Sequence, residues 1–400
     1  MYKIIGGTYF EYCAFPEWSQ LYGSGMRATI ALSNLLPKIE LNTCLTDVSL
    51  NIAMIYSKQF NFKLKSLKKD NDITFSYLTP LHSPYVLGTP KSKRFKSMFG
   101  ENVLQFGMLE INCKIIAQKV VYDPQSPNEP TFFNSNGSEA QEIIYVLNYS
   151  EGKRLAGEQK VALIAKKILR ERNVVGVVVK NGARGAFAFT KKKEKCFTPY
   201  ETKSVWTIGS GDIFSSVLFY YWTKEKFDLF QAVEKASYFT AFYVEKKYLP
   251  LDDFKLISKN FVTKKLMANY KTKNNLVYLA GSFFDIQHLQ LITIIREILI
   301  KKNINVFSPY HDIGRGGPDI VVQKDLKALT KAKLLFAVLD DLDAGTIFEI
   351  GYARALKIPV IILMQNKRAN DLTMMIGTEC EIYDDFTTAI YKVIWKILFK

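Results

Sequence analysis

The chain has 400 residues, of which 48% are hydrophobic and 23% charged, and its formal net charge is +16. This is a globular composition, and the length suffices for two domains of about 150 residues each. No stretch reaches the ~18 uncharged apolar residues of a membrane helix, and the N-terminus MYKIIGGTYF lacks the basic and hydrophobic regions of a secretion signal.

The five cysteines lie far apart in the sequence, without a CxxC pair. This spacing argues against a disulfide framework and a zinc site, and it predicts a reducing, cytoplasmic location. The positive charge is uneven, because residues from Thr272 onward hold 16 Lys and Arg against 14 Asp and Glu. Its excess lies in the segments 63–69, 91–96 and 191–195. These segments are either solvated loops or a surface for nucleic acid or phosphorylated substrates.

In chain order, β-type runs and helical periods alternate. Before residue 250 the predicted strands are 3–9, 114–124, 143–148 and 174–180, and the predicted helices are 25–36, 158–171, 211–223 and 228–245. Short mixed runs in residues 57–112 predict a small β lid. The polar stretch 269–275 predicts a linker between a domain over residues 1–268 and a domain over residues 276–400.

The second domain repeats the alternation in shorter form. Its predicted strands are 276–281, 305–309, 334–340 and 359–364, and its predicted helices are 286–300, 320–331 and 347–357. The helical spacing of the tail 389–399 fits domain core better than a dimer surface. Both domains are therefore α/β, with parallel sheets and helical crossovers.

The stretch TIGSGDIFSS, residues 207–216, predicts an anion site. Gly209 and Gly211 let backbone amides turn inward, and the helix that follows points its N-terminus at the same spot. Asp212, in the first turn, could accept the proton of a hydroxyl that attacks a phosphoryl group. The alternative is that Ser210 and Asp212 simply cap a helix.

The order of motifs resembles the ribokinase-like (PfkB) family of sugar and nucleoside kinases over residues 1–250. The matching stretches are IIGGTYFEY (4–12), YGSGMRATIALSNL (22–35), VVYDPQ (120–125), VLNYSEGKRLAG (146–157), VVVKNGARGAFAF (177–189) and TIGSGDIFSS. The resemblance implies a three-layer αβα fold with a small β lid. It makes Gly209, Ser210 and Gly211 an anion hole and Asp212 the catalytic base.

The same resemblance implies the ligands of the first site. It places Lys180, Gly182 and Gly185 near ATP. It places Gly25 and Thr29 in the segment that binds the substrate. Asn148 and Glu151 would hold Mg²⁺ through water, which agrees with the preference of magnesium for a few oxygen ligands and retained waters. Their alternative role is a helix cap.

Two positions depart from the family pattern. Trp206 stands where the family has an aspartate, and Ser24, Gly25 and Thr29 stand for two adjacent glycines and an asparagine. Both departures concern substrate recognition more than phosphoryl transfer. A kinase-like fold that serves as a binding module is therefore an open alternative.

The stretch DDLDAGTIFEIGYARA, residues 340–355, begins where a strand ends and continues into a helix, which is where open α/β sheets bind ligands. Asp343 and Glu349 can face one crevice, joined by Asp325 from the preceding helix, and Gly345 lets a ligand approach. Such carboxylates suit cleavage of a C–N glycosidic bond. The alternative is an ordinary acidic cluster at a helix N-terminus.

Residues 275–385 resemble the nucleoside 2-deoxyribosyltransferase family, on VYLAGSFF (277–284), KDLKALTKAKLLFAVLD (324–340), DAGTIFEIGYA (343–353) and IPVIIL (358–363). The resemblance implies a flavodoxin/Rossmann-like parallel sheet. It makes Glu349 the nucleophile, assigns Asp343 to orienting Glu349 and the sugar, and assigns Asp325 to the nucleobase. The loop that carries Gly281, Ser282 and Phe283 would lie beneath the sugar.

The substrate of this second site is either a nucleoside or a nucleotide. Ser282 and Arg315 could receive a 5′-phosphate, which favours a nucleotide. Family members often complete each active site with a neighbouring subunit, which implies a homo-oligomer.

The sequence thus predicts two fused enzymes of nucleoside or nucleotide metabolism, a kinase and an N-glycosidase or deoxyribosyltransferase. The rival is an antiviral-type effector. In that case the basic first half binds a partner or nucleic acid, and only the second half degrades nucleotides or NAD.

Overall fold

A computed structural model describes residues 2–88, 97–125, 129–251, 253–268, 275–314, 316–366 and 372–399. The chain divides into two units. The N-terminal unit comprises residues 1–202 and 206–265, and the C-terminal unit comprises residues 203–205 and 266–400. Most of the predicted linker 269–275 and the basic segment 91–96 lie outside the described residues.

The N-terminal unit has a nine-stranded sheet and a four-stranded sheet. Its strands are β1 (Tyr2–Ile5), β2 (Phe10–Cys13), β3 (Trp18–Leu21), β4 (Ile39–Leu45), β5 (Lys63–Lys68), β6 (Thr74–Tyr77), β7 (Tyr85–Leu87), β8 (Met98–Phe106), β9 (Ile115–Asp123), β10 (Glu139–Asn148), β11 (Val174–Lys180), β12 (Ala186–Phe189) and β13 (Glu194–Phe197). The large sheet has the order β13-β12-β11-β10-β9-β8-β1-β4-β5. It is parallel except for the pairs that β12 makes with β11 and β13.

Helices cover both faces of this sheet. They are α1 (Gly23–Leu32), α2 (Asp47–Gln59), α3 (Tyr149–Ala156), α4 (Val161–Ile168), α5 (Ser210–Thr223), α6 (Leu229–Lys246) and α7 (Phe254–Asn260). Ile4 of β1 packs in the core that contains α1, α5 and α6, whereas the next residue, Ile5, packs in the core with α3 and α4. Successive side chains of a strand point to opposite faces, so the predicted three-layer αβα organisation is confirmed.

The small sheet has the order β3-β2-β6-β7 and forms the predicted lid. The prediction of a lid over residues 57–112 is wrong in extent, because β5 and β8 belong to the large sheet. The lid instead recruits β2 and β3 from the first 21 residues of the chain. Because the paired strands are distant in sequence, no local sequence pattern predicts which of them join the lid.

The C-terminal unit has a five-stranded sheet whose paired strands are all parallel. Its strands are β14 (Leu276–Gly281), β15 (Asn305–Phe307), β16 (Leu334–Val338), β17 (Val360–Leu363) and β18 (Glu381–Tyr383), and its helices are α8 (Ile286–Lys301), α9 (Pro309–Asp312), α10 (Pro318–Leu329), α11 (Ala344–Ala355), α12 (Thr373–Gly377) and α13 (Phe386–Leu398). The order β15-β14-β16-β17-β18 is the flavodoxin-like order, as predicted.

The tail helix α13 belongs to the core of this unit. Ile390, Val393, Ile394 and Ile397 are each at most 1% exposed. Of the helices in the described ranges, none combines the length and the apolar character that a membrane crossing requires.

Candidate active sites

The N-terminal site forms where parallel strands end. Asp123, Asn148 and Lys180 are the last residues of three neighbouring strands, β9, β10 and β11. The carboxyl ends of parallel strands meet at one edge of the sheet, where such folds bind ligands. The first turn of α5, with Gly211 and Asp212, reaches the same edge, because Lys180 Nζ lies 3.4 Å from where a Cβ of Gly211 would be.

Gly209 starts α5 in a left-handed conformation, with a φ of 76°. A side chain there would also collide with Arg27, whose Nε lies 2.1 Å from the position of an added Cβ. Among the described residues, no side chain caps this helix, so the amides of its first turn are available to an anion. This agrees with the expected geometry of an anion site.

A cavity of about 410 Å³ opens beside this helix start. It brings together the predicted residues Gly209, Gly211, Asp212, Asn148 and Glu151, and lid residues such as Phe75 and Tyr77 also line it. The side chains of Asn148 and Glu151 form a reciprocal cap of α3, with bonds of 2.9 and 2.8 Å to each other's amides. Asn148 and Glu151 therefore do cap a helix, which was their alternative role, and both also line the cavity.

The carboxylate of Asp212 is held on both sides. Its Oδ2 accepts from Arg27 Nη1 at 2.6 Å, and its Oδ1 accepts from Gln125 Nε2 at 2.6 Å. Arg27 also pairs with Glu11 of the lid strand β2. Burial raises the pKa of Glu11, against the opposing effect of Arg27. Burial would lower the pKa of Arg27, but Glu11 and further neighbours hold it well above its ordinary value.

A second charged group lies at the strand ends. Lys180 Nζ and Ser215 Oγ donate to Asp123 Oδ2 at 2.6 and 2.7 Å. Asp123 is fully buried, and its Oδ1 has no partner within the described residues. Burial, with the charge of Asp123 as the next cause, raises the pKa of Glu151 to about 7. This site therefore carries excess negative charge.

Other predicted residues of this site have packing roles. A Cβ on Gly25 would lie 2.5 Å from the carbonyl oxygen of Gly6, so Gly25 lets α1 approach β1. Thr29 is fully buried and donates to the carbonyl oxygen of Gly25 at 2.8 Å. Gly182 and Gly185 form a turn after β11, with positive φ values of 52° and 88°. Ser210 donates to the carbonyl oxygen of Thr207 at 2.8 Å.

The C-terminal site centres on Glu349 of α11. Its Oε1 accepts a hydrogen bond of 2.5 Å from the hydroxyl of Tyr278, which is fully buried on β14. Burial raises the pKa of Glu349 to about 7; Tyr278 opposes this rise, and the charges of Asp325 and Asp343 add to it. The three predicted carboxylates therefore interact at one site.

Each of the other two carboxylates has its own environment. Asp343 caps α11, since its Oδ2 accepts from both the amide and the hydroxyl of Thr346 at 2.8 Å. Burial raises the pKa of Asp325 to about 6, and its buried Oδ1 has no partner in the part of the chain that the structure describes. Asp325 and Glu349 are thus both carboxylates that exchange a proton near neutral pH.

The predicted loop beneath the sugar starts at the end of β14. Gly281 has a φ of 157°, and a Cβ on it would lie 2.9 Å from Ile292. Ser282 is buried, and the ring of Phe283 contacts those of Phe284 and Tyr310 at 4.8 and 5.6 Å. Gly345 is exposed beside Asp343. Arg315 lies outside the described residues.

Sequence reasoning missed four of the residues that shape these sites: Glu11, Arg27, Gln125 and Tyr278. Arg27 interrupts an apolar helical run, and Tyr278 interrupts an aliphatic strand. Either interruption signals a buried polar side chain. The partners of these side chains are not visible from the sequence, because Arg27 and Asp212 are 185 residues apart.

Two family models match the chain. Residues 112–250 match the pfkB family carbohydrate kinase model, and residues 277–383 match the nucleoside 2-deoxyribosyltransferase model. Both predicted resemblances are confirmed. The chain thus joins a kinase-like region of the PfkB type to a deoxyribosyltransferase-like region. No protein of curated function matches it.

Several solved structures are similar to the chain. A pyrophosphate-dependent kinase in the ribokinase family, complexed with a pyrophosphate analog and myo-inositol, is 13% identical with a TM-score of 0.49, covering 64% of this chain and 100% of its own. Fructokinase from Vibrio cholerae O395 is 15% identical with a TM-score of 0.47, covering 63% and 95%. Ribokinase from Thermotoga maritima is 15% identical with a TM-score of 0.47, covering 65% and 99%.

Proposed function

We propose that the C-terminal unit cleaves the N-glycosidic bond of a nucleoside or nucleotide, with Glu349 as the nucleophile. The observation that carries the proposal is the position of the Glu349 carboxylate. It accepts a hydrogen bond from the buried Tyr278 of β14, it interacts with the charges of Asp325 and Asp343, and it lies on α11, the helix that follows β16.

The proposed reaction has two steps. A Glu349 oxygen forms a bond to C1′ of the sugar while the C1′–N bond breaks, and the departing base receives a proton from Asp325. Water or a second base then attacks C1′ and gives a proton back to the Asp325 carboxylate, while the bond between C1′ and Glu349 breaks. Water gives hydrolysis and a second base gives transfer. Oδ1 of Asp343 would accept a sugar hydroxyl, because Oδ2 is used by Thr346.

Release of free base tests this proposal. The full chain is incubated with nucleosides and nucleoside 5′-monophosphates, with and without a second base, and products are followed by mass spectrometry. We expect Glu349→Gln to lower base release by at least about 10³-fold. Glu381→Gln is the matched control, because Glu381 lies in the same unit but pairs with Lys396. Release that survives Glu349→Gln would remove Glu349 as the nucleophile.

The N-terminal unit has two candidate roles, a kinase with Asp212 as base or a binding module. The uncapped backbone amides at the start of α5, beside Asp212, suit the phosphates of ATP. A bound Mg²⁺ would balance the excess negative charge at Asp123 and Glu151. Among the described residues, no group of three or more His, Cys, Asp or Glu side chains could hold a metal directly. As the family resemblance implies, Asn148 and Glu151 would hold Mg²⁺ through water, and the ion would neutralise phosphate charge.

A basic groove supports the role of a nucleic-acid-binding module. Its volume is about 700 Å³, and its charged lining residues are Lys166, Arg170, Lys191 to Lys193 and Glu194. None of these cations forms an ion pair with a carboxylate of the described residues. By contrast, Lys63 and Lys65 of the basic strand β5 both pair with Glu40 at 3.2 Å. Within the described part of the predicted basic segments, the groove thus holds lysines whose charge is free to meet phosphates.

A further inference from the structure

Arg27 lies between two carboxylates that come from different layers of the N-terminal unit. Glu11 belongs to the lid strand β2, and Asp212 belongs to the first turn of α5. Arg27 itself is on α1 and only 1% exposed. Its guanidinium passes so close to Gly209 that this position admits no side chain. The cation therefore lies inside the cavity, directly against the carboxylate expected to act as the base.

A base that accepts a hydroxyl proton needs a carboxylate lone pair that faces the hydroxyl. Each oxygen of Asp212 already accepts one short bond, from Arg27 and from Gln125, both at 2.6 Å. An incoming hydroxyl would therefore compete with these two donors for the remaining lone pairs. Protonation of Asp212 would also give up its charge-assisted bond from Arg27, which is stronger than a hydrogen bond between neutral groups.

The side chain of Arg27 cannot easily move away to uncover Asp212. The side chain would have to leave Glu11 and Asp212 together, and Glu11 also accepts from the amide of Gly23 at 3.2 Å. Glu11, Arg27 and Asp212 thus connect the lid, α1 and the first turn of α5 through one buried set of ion pairs.

We infer that Arg27 fills the place an acceptor hydroxyl would take beside Asp212, so that the N-terminal unit binds ligands in its cavity without transferring phosphate to them. This rests on the assignment of the cavity as a kinase-type site. It is independent of the chemistry proposed for Glu349. The alternative is that Arg27 orients an active Asp212, in which case the same contacts would support catalysis.

The first test compares the wild-type full chain with Asp212→Asn. Both are incubated with ATP·Mg²⁺ and a mixture of pentoses, hexoses, inositols and nucleosides, and phosphorylated products are measured by mass spectrometry. The inference predicts the same background level for both proteins. A product that Asp212→Asn abolishes would overturn it. Base release is recorded in the same samples, so that failure of the Glu349 proposal is seen separately.

The second test opens the site without changing its charge. The double variant Glu11→Gln/Arg27→Gln removes one carboxylate and one cation, so Asp212 alone keeps the net charge of the three. We expect the rate of phosphoryl transfer in the double variant to exceed that of the wild type by at least about 10²-fold, which is the typical contribution of a positioned general base. Adding Asp212→Asn to the double variant should abolish this transfer. Arg27→Lys keeps the cation and should stay at background. Thermal melting confirms folding; a folded double variant without transfer would overturn the role of Arg27.

Discussion

Tyr278 and Glu349 join the strand and the helix that build the C-terminal site. The Tyr278 hydroxyl donates to Glu349 Oε1 at 2.5 Å from a fully buried position on β14. The same bond opposes the rise in the pKa of Glu349 that burial causes. Tyr278 is therefore expected both to aim the nucleophile and to keep it ionised.

Tyr278→Phe should lower kcat for base release by about 10- to 100-fold, because a misplaced or protonated nucleophile reacts poorly. The pKa of Glu349 should rise, since its charged form loses a donor. Because this pKa already lies above that of Asp325, the alkaline limb of the pH profile should move to higher pH. Tyr383→Phe is the matched control, because Tyr383 donates to Glu381 at 2.9 Å in the same unit. An unchanged pH profile in Tyr278→Phe would contradict the assigned role.

The two raised pKa values predict a narrow pH optimum. Glu349 must be ionised to attack, and below about pH 6, where Asp325 is fully protonated, activity falls with the fraction of ionised Glu349. Asp325 must be protonated to serve the leaving base, and above about pH 7, where Glu349 is fully ionised, activity falls with the fraction of protonated Asp325. We therefore expect a bell-shaped kcat/KM with its maximum between these values. Asp325→Asn should remove the alkaline limb, and a profile that is flat from pH 5 to 8 would refute this assignment.

The strands, helices and gathering of carboxylates at a sheet edge follow from local sequence. Hydrophobic periodicity predicts β14 and α8 almost to the residue, and DDLDAGTIFEIG predicts that Asp343 and Glu349 lie together. Long-range pairing does not follow in this way. The lid joins β2 to β6 across the chain, and the ion pair of Arg27 with Asp212 depends on how α1 and α5 pack.

Substitution of Arg315 tests whether the substrate is a nucleotide or a nucleoside. If it binds a 5′-phosphate, Arg315→Gln should lower kcat/KM for nucleoside 5′-monophosphates by about 10- to 100-fold, the value of one charge-assisted contact. It should leave the parent nucleosides unaffected. Equal effects on both substrate classes would contradict a phosphate contact. The ratio of the two specificity constants is the measurement.

The basic groove predicts salt-dependent binding of nucleic acid. Substituting Lys191, Lys192 and Lys193 with Gln should lower the slope of log K against log salt by about 2 to 3, since each phosphate contact contributes about 0.9. Lys63→Gln/Lys65→Gln is the control, because those lysines pair with Glu40. Fluorescence anisotropy with single-stranded DNA or RNA provides the measurement. If the wild-type chain shows no salt-dependent binding, the groove is excluded as a nucleic-acid-binding site.

A covalent intermediate on Glu349 tests the central claim most directly. A 2′-fluoro-2′-deoxynucleoside slows breakdown of a glycosyl ester, so peptide mass spectrometry can locate the attached sugar. We predict a fluorodeoxyribosyl adduct on the peptide that contains Glu349, formed together with free base and absent from Glu349→Gln. Release of base from the natural nucleoside without any such adduct, or an adduct on another residue, would contradict the account.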